Sequence, residues 1–388
     1  MTKVVYLLNP TLPNGDFLNQ EECCFGPTPI ACTPTSLVGL ASALLETDYS
    51  PIHATAVKQL THDAYAVVLP FVIGYEQWLN EMVKEIHSHC PKAKVIGIAV
   101  PQGLAEVSEY RSSFDLLAGR EPLPTVLKYL GLESEYFPVI RVGANVPYPF
   151  MPWLLVATGC PFGCNYCTWG SRPMQWRSPE NTMESINSLL EGTVTLSETG
   201  VPEVGKLSQM YLICSEATVN KRWLKDFTSL KESSLYQLLP ILTDVRADQV
   251  DEETIDLFKR MKVREVVAAL ESPNPDILKK IDRRMNIEKW LKGMQLLKEA
   301  NIKISMPVLF NLDDSENPNE YASFCKDHHL TPNPGIVKAY PGTKLWEEVE
   351  RDGWEWIREW SPPASPLRTR KGVFEAGKKL NRFKELMR

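Results

Sequence analysis

Two rhythms of apolar and polar residues alternate along this chain. Short unbroken apolar runs read as buried strands, and stretches with apolar residues three or four apart read as helices. In the first third, 4–8, 65–69, 94–100 and 114–117 are expected strands. Helices are expected over 37–45, over 76–86 and from 122 to 130. The helix at 37 is announced by Thr33-Pro34-Thr35-Ser36, residues that suit a helix start. Alternating strands and helices predict an α/β fold with a doubly wound, Rossmann-like parallel sheet over residues 1–135. Residues 136–152 carry Pro138, Pro147, Pro149 and Pro152 without periodicity and read as a linker.

The alternation then resumes. Strands are expected at 153–158, 209–214, 238–244, 265–270, 303–310 and 335–339, with helices such as 251–261, 275–281 and 287–300 between them. Six such units predict a partial (β/α)6 barrel over 153–345, with its chemistry at the carboxyl ends of the strands. Residues 346–388 are Trp-rich, then Pro-rich, then basic, and read as a short C-terminal region. It looks too short to cover a substrate, so a wide mouth suited to a large partner is expected. Trp354, Trp356 and Trp360 with Arg368, Arg370 and Lys371 either line that mouth or pack the tail onto the barrel.

Composition narrows the partners. A net charge of −6 argues against a broad basic surface for nucleic acid. No apolar run reaches membrane-spanning length, and the initial MTKVVYLLNP lacks the long apolar region of a signal peptide. The expectation is a cytoplasmic chain whose nine cysteines are reduced, as ligands or core residues.

Three of those cysteines stand apart. Cys160, Cys164 and Cys167 follow the first barrel strand in C-x3-C-x2-C spacing, with Gly159 and Gly163 able to wrap the loop tightly. Thiolates are preferred iron–sulfur ligands, and three of them leave one corner of a four-iron cube open. The competing reading is structural zinc, which needs a closed shell of four. The next cysteine is Cys214, at the end of an expected core strand.

This loop, with Tyr166 just before the third cysteine, resembles the radical S-adenosylmethionine (SAM) superfamily, and the resemblance runs from about 151 to 345. It implies a [4Fe–4S] cluster on Cys160, Cys164 and Cys167. It also implies SAM contacts from Tyr166, Ser215, Glu216, Arg246, Glu271 and Ser272. Tyr340-Pro341-Gly342-Thr343 resembles the family's Pro-Gly-Thr turn. Phe310-Asn311-Leu312-Asp313-Asp314 departs from it, standing where the family has a Gly-x-Pro-x-Glu-Thr segment.

The first 130 residues resemble the cobalamin-binding domain of one branch of that superfamily. That implies cobalamin near Asn9, Thr33, Thr35, Ser36, Leu69, Phe71, Val72, Gly119, Arg120 and Glu121, with residues 69–74 as a loop beneath the metal. None of the six histidines sits in an Asp-x-His-x-x-Gly loop, so no histidine ligand is expected. The alternative is a sheet domain without cofactor. Together the resemblances imply a monomeric C-methyltransferase. It would methylate an unactivated carbon, with a peptide or protein side chain as candidate substrate, through a 5′-deoxyadenosyl radical and methylcobalamin. An external flavodoxin- or ferredoxin-type donor would supply electrons. Rearrangement or cyclisation without methyl transfer, and a non-catalytic sensor, are the other readings.

Overall fold

The computed structural model describes residues 3–8, 10, 40, 43–44, 47–72, 75–100, 105, 108–119, 122–133, 153–190, 195–196, 202–203, 210–357 and 367–388. The N-terminal half is a parallel sheet of β1 (Lys3–Leu8), β2 (Tyr49–Ala54), β3 (Ala66–Val72), β4 (Lys94–Val100) and β5 (Leu116–Ala118). Its order is β2-β1-β3-β4-β5. Neighbouring residues of a strand enter opposite cores. Tyr6 and Leu8 pack with α1 (Glu76–His89) on one face. Val5 and Leu7 share the other with residues of α3 (Pro122–Tyr129), and α2 (Ser108–Arg111) precedes β5. Burial on both faces is why these strands read as continuous apolar runs. The order reverses between β1 and β3, and ligands of such sheets bind beyond the carboxyl ends at that switch point.

Two expectations are corrected here. β2 escaped the apolar pattern because it is an edge strand holding Pro51. Residues 69–72 are strand, not loop, and Leu69 and Phe71 are wholly buried in the core rather than aimed outward. Pro70 stands where β4 pairs with β3 through Val72, and among the described residues β1 pairs with β3 over 66–68. Asn9, Thr33, Thr35, Ser36, Arg120, Glu121 and the linker over 136–152 lie outside the described residues, as do Cys23, Cys24 and Cys32.

The second half opens with β6 (Trp153–Leu155) and a hairpin of β7 (Ala157–Cys160) and β8 (Arg172–Trp176). β9 (Thr195–Leu196) and β10 (Pro202–Glu203) form a small antiparallel pair. β11 (Met210–Ile213), β12 (Ile241–Asp244), β13 (Val263–Val267), β14 (Lys303–Phe310) and β15 (Pro332–Ile336) join β6 in a six-stranded parallel sheet. The order β15-β14-β13-β12-β11-β6 runs along the sequence, as a (β/α)6 unit requires. Its helices are α4 (Pro179–Leu190), α5 (Lys221–Glu232), α6 (Glu252–Met261), α7 (Pro275–Lys280), α8 (Ile287–Glu299) and α9 (Pro318–Asp327). From α5 to α9 each starts at an Asn or Asp: Asn220, Asp251, Asn274, Asn286 and Asn317 accept bonds from first-turn N–H groups. Leu154, Met210, Leu212, Ile241, Val266, Met306, Val308 and Phe310 pack beneath the helices in one core. The intervening strand residues face the concave side.

The C-terminal region is more than a tail. α10 (Lys344–Asp352) leads to an antiparallel pair, β16 (Trp354–Ile357) with β17 (Leu367–Arg370), and then to α11 (Val373–Met387). α11 sends Val373, Ala376, Leu380 and Phe383 into the barrel core. Thr369 Oγ1 donates to Val337 O at 2.8 Å and accepts from Asn311 Nδ2 at 2.9 Å. The segment that departs from the family pattern is therefore the anchor of this region. Side chains of Trp354, Trp356, Trp360 and Arg368 lie outside the described residues.

Gly293 lets α8 lie against the turn at Ala247, where an added Cβ would stand 1.8 Å from the Ala247 carbonyl oxygen. Gly293→Ala should lower stability by about 1–3 kcal/mol, the usual cost of overpacking, seen as a lower urea midpoint. An unchanged midpoint would show that the helix shifts freely.

Candidate active site

The three-cysteine loop closes between β7 and β8. Ser171 N bonds Phe162 O at 2.7 Å, and Cys167 N bonds Cys164 O at 3.1 Å. Gly159 stands at φ +78°, and a Cβ there would lie 2.2 Å from Pro173 O, so only glycine fits. Asn165 pins the loop to the rest of the barrel: its N–H bonds Ile281 O at 3.0 Å and its carbonyl takes the Leu345 N–H at 2.9 Å.

All three thiols are free; Cys160 is buried, Cys164 and Cys167 half-buried. Burial pushes Cys160 up and Cys167 up to about 12, and negative charge on Cys164 adds to both. Trp169 N–H, pointing at Cys167 Sγ at 3.4 Å, only partly offsets this. At Cys160 and Cys167 the loop therefore holds buried thiols that a bound cation would draw toward the thiolate. That donor set fits an iron–sulfur cluster. Among the described residues, no three His, Cys, Asp or Glu side chains are gathered as around one ion.

Beside the loop, β11 and β13, the strands on either side of β12, lead into carboxylates. Glu216, after β11, is wholly buried. Its Oε1 accepts from Thr218 N at 2.9 Å and from the Thr218 hydroxyl, while Oε2 has no partner. Burial pushes it up to about 7. Glu271, after β13, is held at φ +66°. Its Oε1 accepts from Tyr166 OH at 2.8 Å and Arg283 Nη1 at 3.3 Å, and its Oε2 is also unpartnered. Burial raises it, against the pull of Arg283 and Tyr166. Arg283 Nη1 donates also to Tyr166 OH at 2.9 Å, and Nη2 to Ala269 O at 2.6 Å. Arg283 thus ties the cysteine loop to Glu271. No local pattern announces it, since those partners lie 117 and 12 residues away.

The other expected contacts are placed as follows. Ser215 Oγ donates to Gly159 O at 2.5 Å, under the loop. Ser272 Oγ accepts from Tyr321 OH at 2.7 Å and Asn274 N at 3.1 Å. Arg246 pairs with both oxygens of Asp248, donates to Arg283 O at 2.9 Å and Arg284 O at 3.1 Å, and lies 3.8 Å from the Phe162 ring centroid. Its guanidinium braces the loop. In the N-terminal half, Gly119 directly follows β5. His62 Nδ1 lies 2.5 Å from His89 O, and His89 Nε2 3.0 Å from Leu60 O, which fastens the end of α1.

Residues 154–323 match the Radical SAM superfamily. Two tRNA uridine(34) acetyltransferases align with 143 residues of this chain, the one from Methanocaldococcus infernus at 25% identity over 35% of the chain and 27% of its own length. The Methanocaldococcus jannaschii protein does so at 24% over 26% of its length. The chain thus spans about a quarter of the curated relatives it matches. Beyond the matched stretch, the whole fold is shared with solved structures. The radical SAM methyltransferase TsrM from Kitasatospora setae, with cobalamin and a [4Fe–4S] cluster bound, superposes with TM-score 0.74 at 14% identity, over 100% of this chain and 91% of that one. The cobalamin-dependent SAM radical enzyme OxsB, with aqua-cobalamin and SAM bound, gives TM-score 0.68 at 14% identity, over 97% of this chain and 65% of that one. The two-part α/β architecture expected from the sequence is present. Among the described residues, no helix is long and apolar enough to cross a membrane.

Burial likewise pushes Asp244 up to about 7, with Glu216 adding to the shift. Unfolded, such carboxyls release their protons near pH 4. Between about pH 4 and 7 the folded chain holds the more protons, so stability falls as pH rises through that window. Urea midpoints of the unliganded protein should decline from pH 5 to pH 8, and Asp244→Asn should flatten the slope. An equal slope in the variant would contradict the assignment.

Proposed function

We propose that this chain is a cobalamin-dependent radical SAM enzyme that transfers a methyl group to an unactivated carbon. The observation that carries the reading is the pair of buried, unpartnered carboxylate oxygens, Glu216 Oε2 and Glu271 Oε2, beside three free thiols. Buried polar atoms are rarely left unpaired, and these await a donor-rich ligand. SAM, with its ammonium, sulfonium and ribose hydroxyls, is such a ligand.

Cys160, Cys164 and Cys167 would hold the cluster, leaving one iron free of protein ligands. When bound, the cluster would supply the electron that cleaves SAM, and the cobalamin a methyl carrier. Glu216 and Glu271 would accept hydrogen bonds from SAM, with Arg283 and Tyr166 fixing Glu271 beforehand. Ser215 and Arg246 would keep the loop in shape.

Cobalamin is supported by the sheet's reversal between β1 and β3, which opens a ligand crevice at their carboxyl ends. Tyr340, just beyond β15 at the barrel's mouth, packs against the N-terminal core, so that core adjoins the mouth. TsrM, named a methyltransferase, shares the fold across the whole chain, which favours methyl transfer over the other readings. A low-potential external donor would reduce the cluster. The case for a peptide substrate no longer rests on a short tail, because that region is folded onto the barrel.

Anaerobic reconstitution should load about four irons per chain together with cobalamin. Reductant and SAM should then yield 5′-deoxyadenosine, with S-adenosylhomocysteine as the mark of methyl transfer. Replacing the three cysteines by Ala should abolish iron and both products. Zinc in place of iron, or products undiminished in the triple variant, would refute the reading. Deoxyadenosine without adenosylhomocysteine would refute the methyl transfer.

A further inference from the structure

The concave face of the barrel holds a polar device that neither the cysteine loop nor the two unpartnered glutamates use. Alternate strand residues turn away from the helices, and Leu155, Ile213, Leu242, Val267 and Leu309 give this face a half-buried apolar lining. Within it sit Tyr211 and Asp244, on the same side of adjacent strands. Tyr211 is 5% exposed, and its hydroxyl lies 2.8 Å from each oxygen of Asp244. A phenol has one proton, so with the Cys214 backbone also acting on Asp244, part of the acceptor capacity of this carboxyl stays open.

No cation among the described residues compensates it: the groups acting on Asp244 are Tyr211, Glu216 and the Cys214 backbone. The other acid on this face is different. Glu265 pairs with Lys303 at 3.0 Å, opposite it in the register of β13 and β14, at the amino-terminal ends of those strands. Asp244 instead closes β12 at the mouth, between the strands that precede Glu216 and Glu271. A carboxylate in an apolar lining without a counter-ion is costly, and a bound cation removes that cost.

We propose that Asp244, oriented by Tyr211, is the substrate-binding carboxylate of the barrel, and that the substrate is a primary amine with an apolar body. The assignment of that amine as substrate rests on the proposed radical SAM reading; the binding site itself does not.

The test uses the reconstituted full chain with SAM, titrated calorimetrically with tryptamine, phenethylamine, L-tryptophan and L-leucine, each against its N-acetyl form. At least one amine should bind, and its acetylated form should bind tenfold or more weakly, the scale of a charge-assisted contact. Asp244→Asn should erase that preference and leave SAM affinity unchanged. Tyr211→Phe should lower amine affinity several-fold, and Glu265→Gln should not alter it. The proposal is overturned if none of the four amines binds, if the preference survives Asp244→Asn, if Glu265→Gln erases it, or if Asp244→Asn weakens SAM as much as the amine. Wild-type protein that binds an amine but takes up no iron would sink the radical SAM reading and leave the amine site standing.

Discussion

Burial of like charge at one end of a barrel is the constraint on which this molecule turns. Cys160, Cys167, Glu216, Asp244 and Glu271 crowd the mouth, and burial shifts each toward its protonated form. Arg283 is committed to Tyr166 and Glu271, and Arg246 to Asp248. An acid-rich mouth with its cations already engaged is poised for ligands that bring positive charge. Iron, a sulfonium with its ammonium, and an amine substrate each do so, and each would draw the groups nearby into their ionised state.

The rest of the fold keeps that mouth in shape. Asn and Asp caps start the barrel helices at fixed points after their strands, and Gly293 brings α8 against the turn that follows β12. The C-terminal region closes the far strands through Thr369 and Asn311 and completes the core with α11. Glu271 and Asn311, both non-glycine, sit at positive φ where β13 and β14 hand over to their loops.

Much of this was legible in the sequence because the signals are local. The cysteine spacing, the apolar run of β14 and the strand–helix alternation each occupy a few neighbouring residues, and the structure places β14 at the expected bounds. What stayed hidden depends on distant partners. β2 is an edge strand whose Pro51 breaks the apolar pattern. The extent of β3 past Pro70 follows from its pairing with β4 through Val72. Arg283 gains its role only through residues on other elements, and Tyr211–Asp244 only through the pairing of β11 with β12. The C-terminal region docks through distant partners such as Asn311 and Thr369, so its packing could not be read from composition.

The central claim is that three sulfurs anchor a metal cube with one corner open to SAM. The electron paramagnetic resonance spectrum of the reconstituted, reduced protein tests it most directly, recorded before and after SAM is added. A [4Fe–4S]+ signal whose shape changes on addition of SAM is the predicted result. A spectrum that SAM leaves untouched would mean that the fourth corner is closed, and would contradict the account.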